Sequence, residues 1–306
     1  MPSQPIPLKE IPYDIELQTR GHRACPGCGM AVAVRQCLKI LGKNTVLVLS
    51  AGCLASCTAG PFPTSSLGVP AIFGSFGSTG AALAGIEVAL KIKGRKKDFN
   101  IVAISGDGGT ADIGLQSLSG AIDRGHNIIY ICYDNEAYMN TGIQKSGSTP
   151  YGAWTTTTPV GELGAFKKQP KKDLCRMFAT NGAYYVATAS IAYFSDFLGK
   201  VRRAIEVTQA ELGPAYIHIP APCPTGWRFP SEQSIELARD HVLTGLWALY
   251  EIENGIFRLN FRPRKREPVE AFLSPQGRFR HLTPDDIVTI QEMVDKDWEV
   301  LEREMV

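Results

Sequence analysis

Five short apolar runs recur along the chain, and stretches of helical period lie between them. The runs are residues 45–50 (TVLVLS), 100–105 (NIVAIS), 127–133 (NIIYICY), 184–188 and 215–219, each nearly continuous rather than alternating. Continuous apolar runs of this length are what strands show when both faces of their sheet are covered. Residues 30–41 and the Ala-rich stretch 78–93 favour helix, and Ala111, Leu115, Leu118 and Ile122 recur on one helical face. Strand and helix in alternation predict an α/β fold, a parallel sheet flanked by helices.

Two segments break the rhythm. Residues 138–170 are rich in Gly, Ser, Thr and Pro and include the all-threonine run 155–158. A loop of that length inside a compact domain is uncommon unless it lines or covers a site, so a functional role is expected for it. From residue 255 the pattern changes again: Arg262, Arg264, Lys265 and Arg266 form a basic stretch, followed by a final helix over about 284–305. The chain is therefore divided into a domain over 1–254 and a C-terminal extension over 255–306, the latter expected to contact partner subunits. The basic stretch reads first as solvated surface, with guidance of an acidic partner as the alternative.

Composition narrows the classes of function. The 306 residues are 44% apolar and 20% charged, an ordinary globular balance, and the net charge of +2 gives no reason to expect nucleic acid or an anionic membrane as partner. No apolar run approaches the ~20 residues of a membrane helix. The Pro-rich start shows no signal-peptide pattern, so a cytoplasmic location is expected. Eight cysteines in such a chain point to thiols or metal ligands rather than to a disulfide framework.

The strongest chemical signal is Gly106-Asp107-Gly108-Gly109, directly after the run 100–105 and before the helical stretch at 111. A glycine turn between strand and helix lets backbone amides approach a phosphate, and the helix start favours the anion. Asp107 would repel a diphosphate unless a divalent cation lay between them, which suggests a magnesium bridge. Asn135 follows 28 residues later (135 minus 107), at the end of the next run, and a parallel sheet would bring the two to one crevice. Taken alone, the turn reads equally well as a plain connection with Asp107 as helix cap.

The second signal is Cys25-Pro26-Gly27-Cys28, with Cys53 25 residues on (53 minus 28), Cys57 beside it and Cys223 far away. Zinc knuckle, dithiol pair and iron–sulfur ligands all remain open on spacing, including a closed zinc site on Cys25, Cys28, Cys53 and Cys57. Cys37, Cys132 and Cys175 fall in apolar surroundings and read as packing residues.

Longer segments carry a family resemblance. GHRACPGCG at 21–29, AGC at 51–53, SGDGGTADIGLQSLSGAIDRGH at 105–126, YDNEAYMNTGIQKSGSTPYGAWTTTTP at 133–159 and APCPTGW at 221–227 resemble the β subunit of pyruvate:ferredoxin oxidoreductase and its relatives. The resemblance implies a thiamine-diphosphate-binding fold of the pyrophosphate type. It implies that Asp107, Asn135 and the Ala137 carbonyl hold Mg2+. Gly52, Gly106, Gly108, Gly109, Tyr138, Asn140 and Thr141 would then surround the cofactor, with Asn140 the catalytic candidate. It makes Cys25, Cys28, Cys53 and Cys223 the ligands of a [4Fe-4S] cluster and leaves Cys57 out; His22, beside the knuckle, reads equally as a hydrogen-bonding tuner of the cluster and as a surface or packing residue.

The implied activity is oxidative cleavage of a small 2-oxoacid, releasing carbon dioxide and passing electrons one at a time through the cluster to ferredoxin. An α-type subunit would supply the acid that activates the cofactor, and ferredoxin-like γ and δ subunits would carry further clusters. Two other functions compete: a cluster-free thiamine-dependent lyase or carboligase, and a zinc-stabilised scaffold without catalysis. The chain departs from pyruvate enzymes over residues 58–66 and 71–79, where Gly, Ser and Thr replace large and charged side chains. That puts pyruvate in doubt and makes oxalate an expected substrate beside it.

Overall fold

The computed structural model describes residues 3–58, 65–161 and 164–304. All five apolar runs are strands: β1 (Thr45–Ser50), β3 (Asn100–Gly106), β4 (Ile129–Asp134), β5 (Tyr185–Thr188) and β6 (Ala215–Pro220). They join β2 (Ala71–Gly74), β7 (Leu249–Glu253) and β8 (Ile256–Phe261) in one eight-stranded sheet of order β2-β1-β3-β4-β6-β5-β7-β8. The helices are α1 (Gly29–Leu41), α2 (Cys53–Thr58), α3 (Thr79–Ile92), α4 (Leu115–Asp123), α5 (Leu174–Thr180), α6 (Phe194–Gln209), α7 (Ser234–Leu243), the short α8 (Glu270–Leu273) and α9 (Pro284–Arg303).

Helices cover both faces, which is why the runs are continuous. Leu47, Leu49, Val102, Ile104, Ile129 and Ile131 face a core shared with α1 and α6. Their alternates Val48, Ala103, Tyr130 and Cys132 face a second core shared with α3, α4, α5 and α9. Side chains of a strand point to opposite faces in turn, so neither set has solvent to face. Among the described residues no helix is long and apolar enough to cross a membrane.

The structure adds three details. The sheet is parallel from β2 through β5, but β7 pairs antiparallel with β5 and with β8. The β7–β8 pairing follows from the two-residue turn Asn254-Gly255, both at positive φ (49° and 78°), a pair that matches the twist of a tight hairpin. The division at 254/255 falls inside that turn, so the C-terminal segment begins as a strand of the same sheet. It ends as α9, which buries Ile290, Val294, Trp298 and Leu301 in the second core. Finally, the helix expected through 111–122 is broken: Gly108–Ile113 is a wide π-helical turn, and α4 starts after Gly114. Widened turns of this kind are frequent at functional sites.

Candidate active site

β1, β3, β4 and β6 are parallel neighbours, so their carboxyl ends share one edge of the sheet. That edge receives residues 51–53, 107–109, 135–141 and 221–223 together, the position where open α/β sheets bind ligands. A cleft opens there. Gly52, Gly106, Asp107, Gly108, Gly109, Asn135, Ala137, Tyr138, Asn140 and Thr141 all line it, joined by Cys53, Phe76, Tyr133 and Met139.

At the floor three oxygen-bearing groups converge. Asp107 is 1% exposed, and Ser146 Oγ donates to its Oδ2 at 2.5 Å. One terminal atom of the Asn135 carboxamide lies 3.0 Å from Asp107 Oδ1 and 2.8 Å from the Ala137 carbonyl oxygen. With no cation between them, the amide must turn its NH2 to this corner and donate to both. With its oxygen there, the spacings are those of adjacent ligands on one small ion: two oxygens at right angles, each ~2.1 Å from magnesium, stand ~3 Å apart. Burial first, and then the charge of Asp134, push the Asp107 carboxyl well above the usual carboxylate range. A carboxyl so disfavoured as an anion gains when a divalent cation neutralises it. Donor set and spacing therefore fit Mg2+, with the remaining positions open to phosphate oxygens.

Glu136 stands between Asn135 and Ala137 in the left-handed region, φ +67°. Its backbone N–H donates to Asp134 Oδ1 at 2.9 Å, and its carbonyl accepts from Thr149 Oγ1 at 2.7 Å. The side chain is 2.8 Å from Lys171 Nζ and 2.6 Å from an Arg278 amine. Asp134 accepts from Ser148 Oγ at 2.5 Å and contacts Lys171 Nζ and His218 Nε2, each at 2.8 Å. Burial raises both carboxyls, but Lys171 with His218 on Asp134, and Lys171 with Arg278 on Glu136, outweigh it and hold both below their usual values. Ser146, Ser148 and Thr149 belong to the loop 138–170, whose hydroxyls thus hydrogen-bond Asp107, Asp134 and the Glu136 carbonyl.

Gly108 is required by a close approach. A Cβ there would meet the Tyr138 ring at 2.3 Å, while Tyr138 Oη donates to the Gly108 carbonyl at 3.0 Å. Gly108→Ala is therefore expected to displace Tyr138 and weaken binding of thiamine diphosphate, the cofactor that the resemblance implies, at least about tenfold, with secondary structure unchanged. Titration calorimetry beside circular dichroism checks this, and an unchanged dissociation constant would refute the packing argument. Asn140 and Thr141 lie at the exposed mouth rather than the floor; Ser56 Oγ donates to Asn140 Oδ1 at 3.4 Å, and Thr141 Oγ1 to Gln144 Oε1 at 2.5 Å.

The thiols gather at the same edge. Cys28 N–H donates to the Cys25 carbonyl at 3.1 Å, closing the turn, and Gly29 N–H donates to the Pro222 carbonyl at 3.0 Å, tying it to the residue before Cys223. Cys53 opens α2 directly after β1. Burial first, then the neighbouring Cys223, Cys28 and Cys57, push the Cys53 thiol up to about 12. Burial, with Cys28 and Cys25 behind it, pushes Cys223 up to about 11 against the pull of the Gly226 N–H. Cys57 is likewise raised by burial, then by Cys28 and Cys25, so five thiols share one electrostatic neighbourhood. Among the described residues no three or more His, Cys, Asp or Glu side chains are drawn together as a set that could hold a metal ion.

Cys37, Cys132 and Cys175 are buried in the cores. His22 accepts from the Ala24 N–H at 3.4 Å. Arg262 and Arg266 of the basic stretch pair with Glu302 and Asp295 of α9, at 2.6 and 2.5 Å. Of the polar segments at 58–66 and 71–79, residues 59–64 lie outside the described residues. The second runs along β2 to Phe76, which lines the cleft. The sequence reading missed Tyr133, whose Oη accepts the Leu54 N–H at 3.2 Å, and Trp227, whose Nε1–H donates to the Asn135 carbonyl at 2.8 Å. Trp227 was within reach, since it ends the segment APCPTGW.

Residues 50–219 match the family described as thiamine pyrophosphate enzyme, C-terminal TPP binding domain. The chain is 56% identical to the pyruvate synthase subunit PorB of Methanothermobacter thermautotrophicus, over 94% of this chain and 97% of that one. It is 48% identical to the ketoisovalerate oxidoreductase subunit VorB of Pyrococcus furiosus, over 96% and 94%. The solved 2-oxoglutarate:ferredoxin oxidoreductase of Magnetococcus marinus shares the fold, with a TM-score of 0.54 at 22% identity, over 76% of this chain and 81% of that one.

Proposed function

From the premise that this chain belongs to the β subunits of the 2-oxoacid:ferredoxin oxidoreductases, we propose that it holds two cofactors at one sheet edge. Magnesium thiamine diphosphate sits on Asp107, Asn135 and Ala137, and a [4Fe-4S] cluster sits on Cys25, Cys28, Cys53 and Cys223. The carrying observation is that Cys53 lines the same cleft as Asp107 and that its thiol feels both Asp107 and the thiols of Cys28 and Cys223. When bound, thiamine diphosphate supplies the electron sink for cleaving the bond beside a 2-oxo carbon, and the cluster supplies a one-electron acceptor.

The chain's own residues position and neutralise. Asp107 brings the charge that the metal requires, Asn135 and Ala137 complete its protein ligands, and Asn140 and Thr141 stand at the mouth where a substrate enters. Phe76, Tyr133 and Met139 give the walls an apolar surface and limit water. Cluster rather than zinc suits a family that passes electrons to ferredoxin, because zinc has no redox chemistry whereas an iron–sulfur cluster takes up single electrons. Glu136 is committed to Lys171 and Arg278, so the acid that activates the cofactor is expected from an α-type subunit. Ferredoxin-like γ and δ subunits would relay electrons to ferredoxin.

For the substrate we favour a 2-oxoacid with an apolar substituent, of the pyruvate or 2-oxoisovalerate kind, over oxalate. Among the described residues the cleft lining contains no Lys, Arg or His to neutralise a second carboxylate, and Phe76 and Met139 offer apolar contact instead. The names of the relatives point the same way. The assembled complex is expected to reduce viologen with pyruvate or 2-oxoisovalerate at least about tenfold faster than with oxalate. Turnover of oxalate alone would reverse this assignment.

A further inference from the structure

Residues 223–227 serve both halves of the site. At one end Cys223 presents its thiol, held by the Gly226 N–H at 3.3 Å. At the other, Trp227 is 0% exposed and its indole N–H fixes the carbonyl of Asn135, a metal-ligating residue, at 2.8 Å. The turn between them also touches the metal-side loop directly. A Cβ on Gly226 would stand 2.2 Å from Met139 Sδ, so the thioether packs directly on this turn.

Arg278 closes the arrangement from the C-terminal segment. Its guanidinium lies 4.0 Å over the Trp227 ring and donates to Glu136 Oε2 at 2.6 Å. Its Nε donates to Gln276 Oε1 at 2.8 Å, which orients the plane. One group thus seats both the indole and the residue between Asn135 and Ala137. Left-handed backbone at a non-glycine residue persists only where surrounding contacts over-determine it.

Resting on the two-cofactor reading above, we propose that residues 223–227, seated by Arg278, form a rigid strut between the cluster and the metal corner, with Trp227 and Arg278 as positioning residues. The strut fixes the separation of the two cofactors and couples them energetically. By linkage, binding at one then alters the other.

The test uses the complete complex carrying Trp227→Phe, which keeps the ring and removes the N–H. The dissociation constant and KM for magnesium thiamine diphosphate are expected to rise ten- to a hundredfold, the range for loss of an outer-shell partner. Iron content should match wild type, and kcat at saturating cofactor should stay within about threefold. The cluster's midpoint potential should shift on cofactor binding in wild type and shift less in the variant. Arg278→Lys keeps the charge but loses the stacking plane, so it should give the same pattern more weakly, and it decides the matter where Trp227→Phe does not assemble. Trp298→Phe removes an indole bond of the same kind, to the Gly245 carbonyl at 2.9 Å and outside residues 223–227, and should change nothing. Cofactor affinity within about twofold of wild type, equal weakening in Trp298→Phe, or a wild-type potential indifferent to cofactor would each overturn the strut. A wild-type complex lacking iron would instead overturn the functional reading.

Discussion

Replacing Asp107 by Asn is expected to lower 2-oxoacid-dependent viologen reduction by the assembled complex more than about a hundredfold. Loss of an outer-shell partner alone costs a metal site about 10–100-fold, and Asp107 is a direct ligand in this account. It is also the only charged residue among the described lining of the cleft. An amide keeps the shape and the Ser146 contact but removes the charge, leaving the metal held by neutral oxygens beside a diphosphate. The dissociation constant for magnesium thiamine diphosphate should rise with the loss of rate, and raised magnesium should recover part of it. Wild-type affinity in the variant would mean that the cation, or the diphosphate, sits elsewhere.

Cys223→Ser is expected to bring the iron content from about four atoms per chain to below about one, with viologen reduction falling more than about a hundredfold. Serine keeps the backbone of the turn and Trp227 in place, so thiamine diphosphate should still bind. Cys57→Ser is the matching control. Cys57 lies four residues after Cys53 on α2 and shares the electrostatic neighbourhood of the other thiols, so proximity does not discriminate between them. Full iron in Cys223→Ser together with loss in Cys57→Ser would exchange the fourth ligand and favour the compact set on Cys25, Cys28, Cys53 and Cys57.

Much of this architecture was legible along the chain because it depends on short-range pattern. The five continuous apolar runs predicted buried strands, and the glycine-bearing turn between one run and the next helix located Asp107. The parallel connection then placed Asn135 beside it. The hairpin turn Asn254-Gly255 carries a strong local signal as well, and the division at 254/255 falls within it. What stayed illegible is long-range. Trp227 reaches Asn135 across 92 residues and Arg278 reaches Glu136 across 142, and no local spacing announces such contacts. Burial of Glu136 and Asp134 is illegible for the same reason. Charged residues are expected at the surface, and only the folded chain brings Lys171, His218 and Arg278 to compensate them. The break of the helix after Ile113 also escaped, since Ala111, Leu115, Leu118 and Ile122 keep helical spacing across it.

The most direct test of two cofactors in one cleft is the content of the anaerobically purified, assembled complex. Iron, sulfide, zinc, magnesium and thiamine diphosphate should be counted per copy of this chain, after subtracting what the remaining subunits hold when prepared alone. The account expects about four irons with matching sulfide, and one thiamine diphosphate with its magnesium. Zinc in place of iron, or thiamine diphosphate with no iron attributable to this chain, would contradict it.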